Sequence, residues 1–246
     1  MSKRDDVASG GRHMSNHFAK PAIHVQNVSS AVANHAQHAA GLARAVKTYG
    51  ADAVVYCSLG ESSTSEGYFY EAVNGASREK LPVIFVVQDN GYGISVPKSD
   101  QTANRFASDN FSGFRNLEIL HCDGTDLFDS LRALRAAVKF VASGAGCVLV
   151  HAECVRIHSH SNSDRHELYR STEELAAAAA RDPLARLRSV LDASGDFTAP
   201  ELDAIEAANR RIYEEAAERA RRAPDPDPES IFEYVLPEPW VPAGTG

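Results

Sequence analysis

The chain has 246 residues, of which 43% are hydrophobic and 24% charged, the balance of an ordinary globular protein. A net charge of -8 argues against a nucleic-acid partner or an anionic membrane surface, since both require a basic face. Strictly apolar runs such as Val83 to Val87 fall far short of the roughly 20 residues of a membrane span, and the opening MSKRDDVASGGRHMSNHF carries no apolar signal core. The four cysteines form no CxxC, and three lie in apolar runs; reduced buried thiols in a cytoplasmic protein are expected.

In chain order, residues 1–27 are polar, with little periodicity, and read as a loop segment. Ser29 to Tyr49 reads as an alanine-rich helix closed by Gly50 at the C′ position. Ala53 to Leu59 is a β-rich run. Ser63 to Glu66 has the spacing of a capping box and is expected to open a helix to about Glu79, stopped by Leu81-Pro82. Val83 to Gln88, Leu117 to His121 and Cys147 to Glu153 read as buried strands. Between the last two, Thr125 to Val141 has apolar residues at Leu127, Leu131, Leu134, Val138 and Val141, a helical period. From Ser171 the pattern is helical only: Ser171 and Glu174 form a second capping-box match, and a charged helix runs from Pro200 to about Arg222 before prolines 224, 226 and 228.

Continuous apolar strands alternating with helices predict an α/β fold, a doubly wound, mostly parallel sheet with a helical C-terminal extension. The division expected is a loop segment 1–27, an α/β domain 28–165, a helical extension 166–223 and a Pro-rich tail 224–246.

Ligands of such sheets bind beyond the carboxyl ends of the strands. Gly60, Glu61 and Ser62 lie at one such end, and Asp89, Asn90 and Gly91 at the next. A helix start at Ser63 to Ser65 would offer free N–H groups to an anion. A carboxylate, an amide oxygen and a backbone carbonyl together suit Mg²⁺, a hard ion commonly shared with substrate phosphates. Taken alone, Glu61 could be a solvated loop acid, and Asn90 a turn-former before Gly91. The stretch His158, His160, Asp164 and His166 could be a plain loop or a zinc cluster, though it lacks structural-zinc spacing and a thiolate pair. A Mg²⁺-dependent phosphohydrolase would need an aspartate nucleophile in a DxD arrangement at a strand end, and none is present.

The spacing narrows these alternatives. Between Ser62 and Asp89 lie residues 63–88, 26 positions. A Gly-acid opening, this gap and a closing Asn resemble the thiamine diphosphate motif, usually Gly-Asp-Gly followed by Asn-Asn. With TSEG, KLPVIFVVQDNGYGIS and RIHSHSNSD, the chain resembles the alpha-type component of thiamine diphosphate-dependent 2-oxo acid dehydrogenases, the pyruvate and branched-chain enzymes, from about Gly11 to near Pro237. The resemblance implies that Glu61, Asn90 and the Tyr92 carbonyl hold Mg²⁺. It implies that Gly60, Ser62 and Ser63 line the diphosphate, that Arg156 binds it, that Val32 lies against the cofactor, and that His160 is the active-site loop histidine. It further implies oxidative decarboxylation of a 2-oxo acid, acyl transfer to a lipoyl acyltransferase component, and a beta-type partner subunit in an α2β2 assembly. Three departures stand out: Glu61 for Asp, Ser62 for the second Gly, and Asp89 for the first Asn. The family's usual N-terminal helical segment, with its Tyr-Arg pair, is also expected to be lacking, which keeps open a truncated, non-catalytic paralogue with an assembly role.

Overall fold

The computed structural model describes residues 3–13 and 17–233; the expected tail beyond 233 and part of the GGRHMSNHF stretch lie outside them. Four parallel strands form the central sheet: β1 (Val55–Gly60), β2 (Val83–Asp89), β5 (Leu117–Asp123) and β6 (Cys147–Glu153), in the order β1-β2-β6-β5. A two-stranded hairpin, β3 (Tyr92–Gly93) and β4 (Val96–Pro97), follows β2. Helices α1 (Asn34–Tyr49) and α2 (Gly67–Glu79) precede and follow β1, and α3 (Leu127–Ala142) joins β5 to β6. The doubly wound, mostly parallel α/β fold expected from the sequence is the fold observed.

The two-residue period of the strands sorts their side chains onto two cores. On one face Cys57, Leu59, Val83, Phe85, Val87, Cys147 and Leu149 pack against the alanines of α1 and Phe69 and Val73 of α2. On the other, Ile84, Val86, Val148, Val150 and Cys122 meet Ala133, Ala137 and Val141 of α3. Ala36, Ala39 and Ala43 let α1 lie close to the sheet. The first core is keyed by aromatic rings at right angles: Phe69 stands edge-on to Phe85 at 5.6 Å and to Phe111 at 5.1 Å.

Four local expectations are revised. Helix α1 begins at Asn34, not Ser29, because Ala33 takes a left-handed conformation (φ 60°) that breaks the helical path. Ser63–Glu66 is not a capping box: Ser62–Ser65 form a single 3₁₀ turn, Glu66 is extended, and α2 starts at Gly67 with no side-chain cap. The Thr64 hydroxyl donates back to the Glu61 carbonyl at 2.6 Å, which closes the turn on the strand end instead of feeding a helix. In α3 the apolar face is only partly inward: Val141 and Leu134 pack on the core beside Ala133 and Ala137, while Leu127, Leu131 and Val138 are exposed. That helix begins at Leu127, not Thr125, and Asp126 caps it, accepting from the Phe128 and Asp129 amides.

After β6 come α4 (Thr172–Ala179), α5 (Pro183–Ser194) and α6 (Ala199–Arg222). Both arms of the Ser171–Glu174 capping box are formed. Arg186 of α5 bridges Asp123 and Asp126 at 2.6 Å each, tying that helix to the carboxyl end of β5. Burial opposes the Asp123 charge, yet Thr125 and Arg186 hold its carboxyl down at about 2. The chain divides into two compact units, residues 31–199 and a second formed by residues up to 30 with those from 200. Within the second, Lys3 pairs with Asp225 at 2.7 Å and the Arg12 guanidinium donates to the Ser230 carbonyl.

All four cysteines carry free thiols. Burial pushes the Cys57 and Cys147 thiols up to about 12.

Phe85 is fully buried and packs edge-on against Phe69 of α2, whose ring also meets Phe111. Phe85→Ala is therefore expected to cost about 3–5 kcal/mol of unfolding free energy, read from the midpoint shift in urea unfolding followed by far-UV circular dichroism.

Candidate active site at the carboxyl edge of the sheet

Parallel pairing sets Gly60 of β1 beside Gln88 of β2, so the loops leaving both strands start side by side. Glu61, the first residue past β1, is 2% exposed. Its carboxylate accepts the Asn90 backbone N–H at 3.2 Å and the Ser62 hydroxyl at 3.3 Å. Both donors are neutral, and no basic side chain is paired with it among the described residues. Burial raises its pKa above the ordinary value, and the neighbouring Asp89 charge adds to the rise.

Asp89 ends β2 and is also buried, but it is compensated. Lys98 forms an ion pair with it and His151 Nε2 lies 2.9 Å from the same oxygen. Burial works against its charge, and these two bonds outweigh burial and hold the carboxyl below its usual range. The next residue, Asn90, has its side-chain oxygen accepting the Tyr92 N–H at 3.2 Å. The Tyr92 backbone lies opposite Pro97, which has no N–H to offer its carbonyl.

The β3–β4 hairpin is pressed onto the loop after β1. A Cβ at Gly93 would fall 2.2 Å from Ser62 Oγ and 2.8 Å from Ser62 Cβ, so only glycine permits this approach. Gln101 donates to the Ser62 carbonyl at 2.6 Å from the same side. At the hairpin turn Ile94, a β-branched residue, is left-handed (φ 56°), and its carbonyl accepts from Arg156 Nη1 at 2.8 Å. Arg156 also donates to the Tyr169 hydroxyl at 2.7 Å and lies over the Tyr92 ring, while its buried Nε has no partner.

The sequence-predicted residues fall into two groups. Glu61, Asn90, Tyr92, Ser62 and Arg156 are connected through the contacts just given, and Gly60 and Ser63 flank Glu61 in the same strand end and turn. Open space lies beside Gly60 where a Cβ would project. Val32 is not bonded to this group, and the His160 backbone reaches it only through Asp164 and Tyr169. Val32 is 54% exposed, held out by the left-handed Ala33 just before α1. His35 in the first turn of α1 lies 3.0 Å from the Ser58 carbonyl, which sets that end of the helix beside the carboxyl half of β1. His160 is exposed; its backbone N–H donates to Asp164 at 2.7 Å, and Asp164 also accepts the Tyr169 hydroxyl at 2.6 Å.

Among the described residues no three His, Cys, Asp or Glu side chains converge as a metal cluster, so the His158–His166 stretch has no zinc geometry. A Mg²⁺ site of the kind expected needs only one carboxylate, and the donor set fits it. A buried anion with only neutral partners, an adjacent amide and a nearby backbone oxygen leave one negative charge that a hard cation would balance. Sequence reasoning missed Lys98 and His151. The visible signal for His151 was a histidine within the apolar run CVLVHAE, where a buried imidazole needs a partner.

Residues 1–229 match the family described as "Dehydrogenase E1 component". The chain is 33% identical over 239 residues to the "2-oxoisovalerate dehydrogenase subunit alpha" of Bacillus subtilis, covering 96% of this chain and 71% of that protein. It is 33% identical over 229 residues to the mitochondrial human protein of that name, covering 93% of this chain and 51% of the relative. It is 31% identical to the "Pyruvate dehydrogenase E1 component subunit alpha, mitochondrial" of Solanum tuberosum, covering 94% of this chain and 59% of the relative. The chain thus spans about half to seven-tenths of the length of these relatives.

The Glu61 environment sets a pH prediction. With a folded-state pKa above the ordinary 4.5, Glu61 favours the native state when protonated, and that contribution is lost as pH rises through the raised value. Glu61→Gln keeps an acceptor for the Asn90 N–H without the charge. Without divalent cations, thermal unfolding should show the variant more stable than wild type at pH 7, with the difference shrinking to nothing below about pH 4.

Proposed function

The chain belongs to the dehydrogenase E1 component family, and on that premise we propose that it is the alpha-type subunit of a thiamine diphosphate-dependent 2-oxo acid dehydrogenase. The observation that carries the reading is the buried, uncompensated Glu61 carboxylate bonded to the Asn90 N–H. In this reading Glu61, the Asn90 side chain and the Tyr92 carbonyl hold Mg²⁺, and Gly60, Ser62 and Ser63 line the diphosphate. Arg156 supplies positive charge to the phosphates, its guanidinium being positioned by the Ile94 carbonyl and the Tyr169 hydroxyl. Val32 offers an exposed apolar side chain to the cofactor, and His160 stands on the loop through which substrate and lipoyl arm would approach.

When bound, thiamine diphosphate supplies the electron sink that lets a 2-oxo acid lose CO₂. The protein's share is anchoring, orientation and exclusion of water. The hairpin is held against the loop after β1 by Gly93, Gln101 and Arg156, next to the buried Glu61. The acyl group passes to a lipoyl group on a separate acyltransferase, and a beta-type partner completes the site. Free thiols at every cysteine suit a reducing compartment such as the cytoplasm.

Isothermal calorimetry on the chain assembled with its beta-type partner tests this. Thiamine diphosphate with Mg²⁺ should titrate; Glu61→Ala and Asn90→Ala should each weaken binding about tenfold or more. Absence of heat from the wild-type assembly would favour the other reading, a non-catalytic paralogue with an assembly role.

A further inference from the structure

Three elements converge on Asp89. Val87 and His151 are register partners on β2 and β6, so Asp89, two residues on, emerges on the same face as the imidazole. One carboxylate oxygen receives Lys98, from just past β4, and His151; the other accepts the Gly91 N–H at 3.0 Å. The Asp89 backbone carbonyl accepts the Cys154 N–H at 2.6 Å, fixing the strand tip to the chain leaving β6. Beyond His151 the cluster is closed by aromatic rings, Phe106 at 5.1 Å and His121 at 5.3 Å.

His151 is fully buried in the strand Cys147–Glu153, beside Leu149 and Val150. An ionised carboxylate only accepts, so His151 Nε2 carries the proton, and Nδ1 is left with no partner. A leucine would fill that place without an orphaned nitrogen. The imidazole is therefore accounted for by its single donor, aimed at Asp89.

We propose that Asp89, held by His151 and Lys98, is the positioning residue of the cation site: it fixes the β2 tip so that the Asn90 N–H meets Glu61 and the Asn90 side chain is presented beside it. The proposal rests on the reading of Glu61 and Asn90 as cation ligands. Asp89 touches neither metal nor cofactor and acts through the backbone of residues 90–92. Three successive amides there, Asn90, Gly91 and Tyr92, donate to the side chains of Glu61, Asp89 and Asn90. Releasing the middle one loosens the other two.

Amide hydrogen exchange on the full chain tests this without any cofactor. His151→Gln keeps a side-chain N–H donor; His151→Leu keeps only the packing. The Gln variant should protect amides 90–92 as wild type does, whereas His151→Leu and Asp89→Asn should speed their exchange about tenfold or more, leaving the interior of β1 and β2 unchanged. Lys98→Met, altering a partly exposed residue, should act in the same direction and serves if His151→Leu does not fold. Wild-type protection in His151→Leu, or in Lys98→Met in its place, would overturn the proposal, as would loss of protection in His151→Gln equal to that in the Leu variant. Calorimetry with Mg²⁺ and thiamine diphosphate on the same proteins in the assembly should rank affinities in the same order. If wild-type protein fails to titrate, the proposed function falls, while the exchange result still decides whether Asp89 sets the tip.

Discussion

A carboxylate removed from water must either be neutralised by a proton or be given a cation, and the carboxyl edge of this sheet handles two of them differently. Asp89 has Lys98 and His151. Glu61, one strand over, has only an amide and a hydroxyl. Parallel pairing puts both acids at neighbouring tips, and each raises the cost of ionising the other. That imbalance is the constraint around which the surrounding loops are arranged. The hairpin must approach the loop after β1 closely, which requires glycine at 93, and the strand tip must hold its shape, which requires the three-sided grip on Asp89. Lys98 serves both demands, since it leaves the hairpin and ends on the strand.

Two of the five left-handed non-glycine residues lie near this edge; His24, Lys80 and Asn116 take that conformation elsewhere. Ala33 and Ile94 adopt left-handed backbone conformations that such residues seldom take. The first turns the chain so that Val32 faces outward; the second shapes the hairpin turn whose carbonyl Arg156 holds. Ala33 is itself buried in the core shared with α1 and α2, so its conformation serves packing there, whereas Ile94 is exposed and its turn serves the contact with Arg156.

The fold was legible because its sequence signals are physical and long. Val83–Val87 and Cys147–Val150 are apolar on both faces, as strands covered on both sides must be. What escaped were features decided by tertiary contact. The Ser63–Glu66 spacing imitated a capping box, but the Thr64 hydroxyl found the Glu61 carbonyl first. The period of α3 was correct but its inner face only partly so: Val141 and Leu134 pack inward with Ala133 and Ala137, while three of the other apolar positions are exposed. In the site, Glu61 and Asn90 could be paired from spacing, but Lys98 and His151 are distant in sequence from each other and lie just outside the motifs, where nothing in the spacing pairs them with Asp89. Only the oddity of a histidine in an apolar strand hinted at the partner it needed.

The buried thiols give this sheet a built-in clock. Cys57 lies on the edge strand and Cys147 at the start of the innermost crossover strand, both in the core shared with α1 and α2. With their thiols held near 12, almost no thiolate exists at neutral pH, and no reagent reaches sulfur while the helices stay in place. Alkylation at either position thus waits for α1 and α2 to lift from the strands. The labelling rates of the two sulfurs, compared with one another, would distinguish fraying at the β1 margin from a cooperative opening of the whole layer.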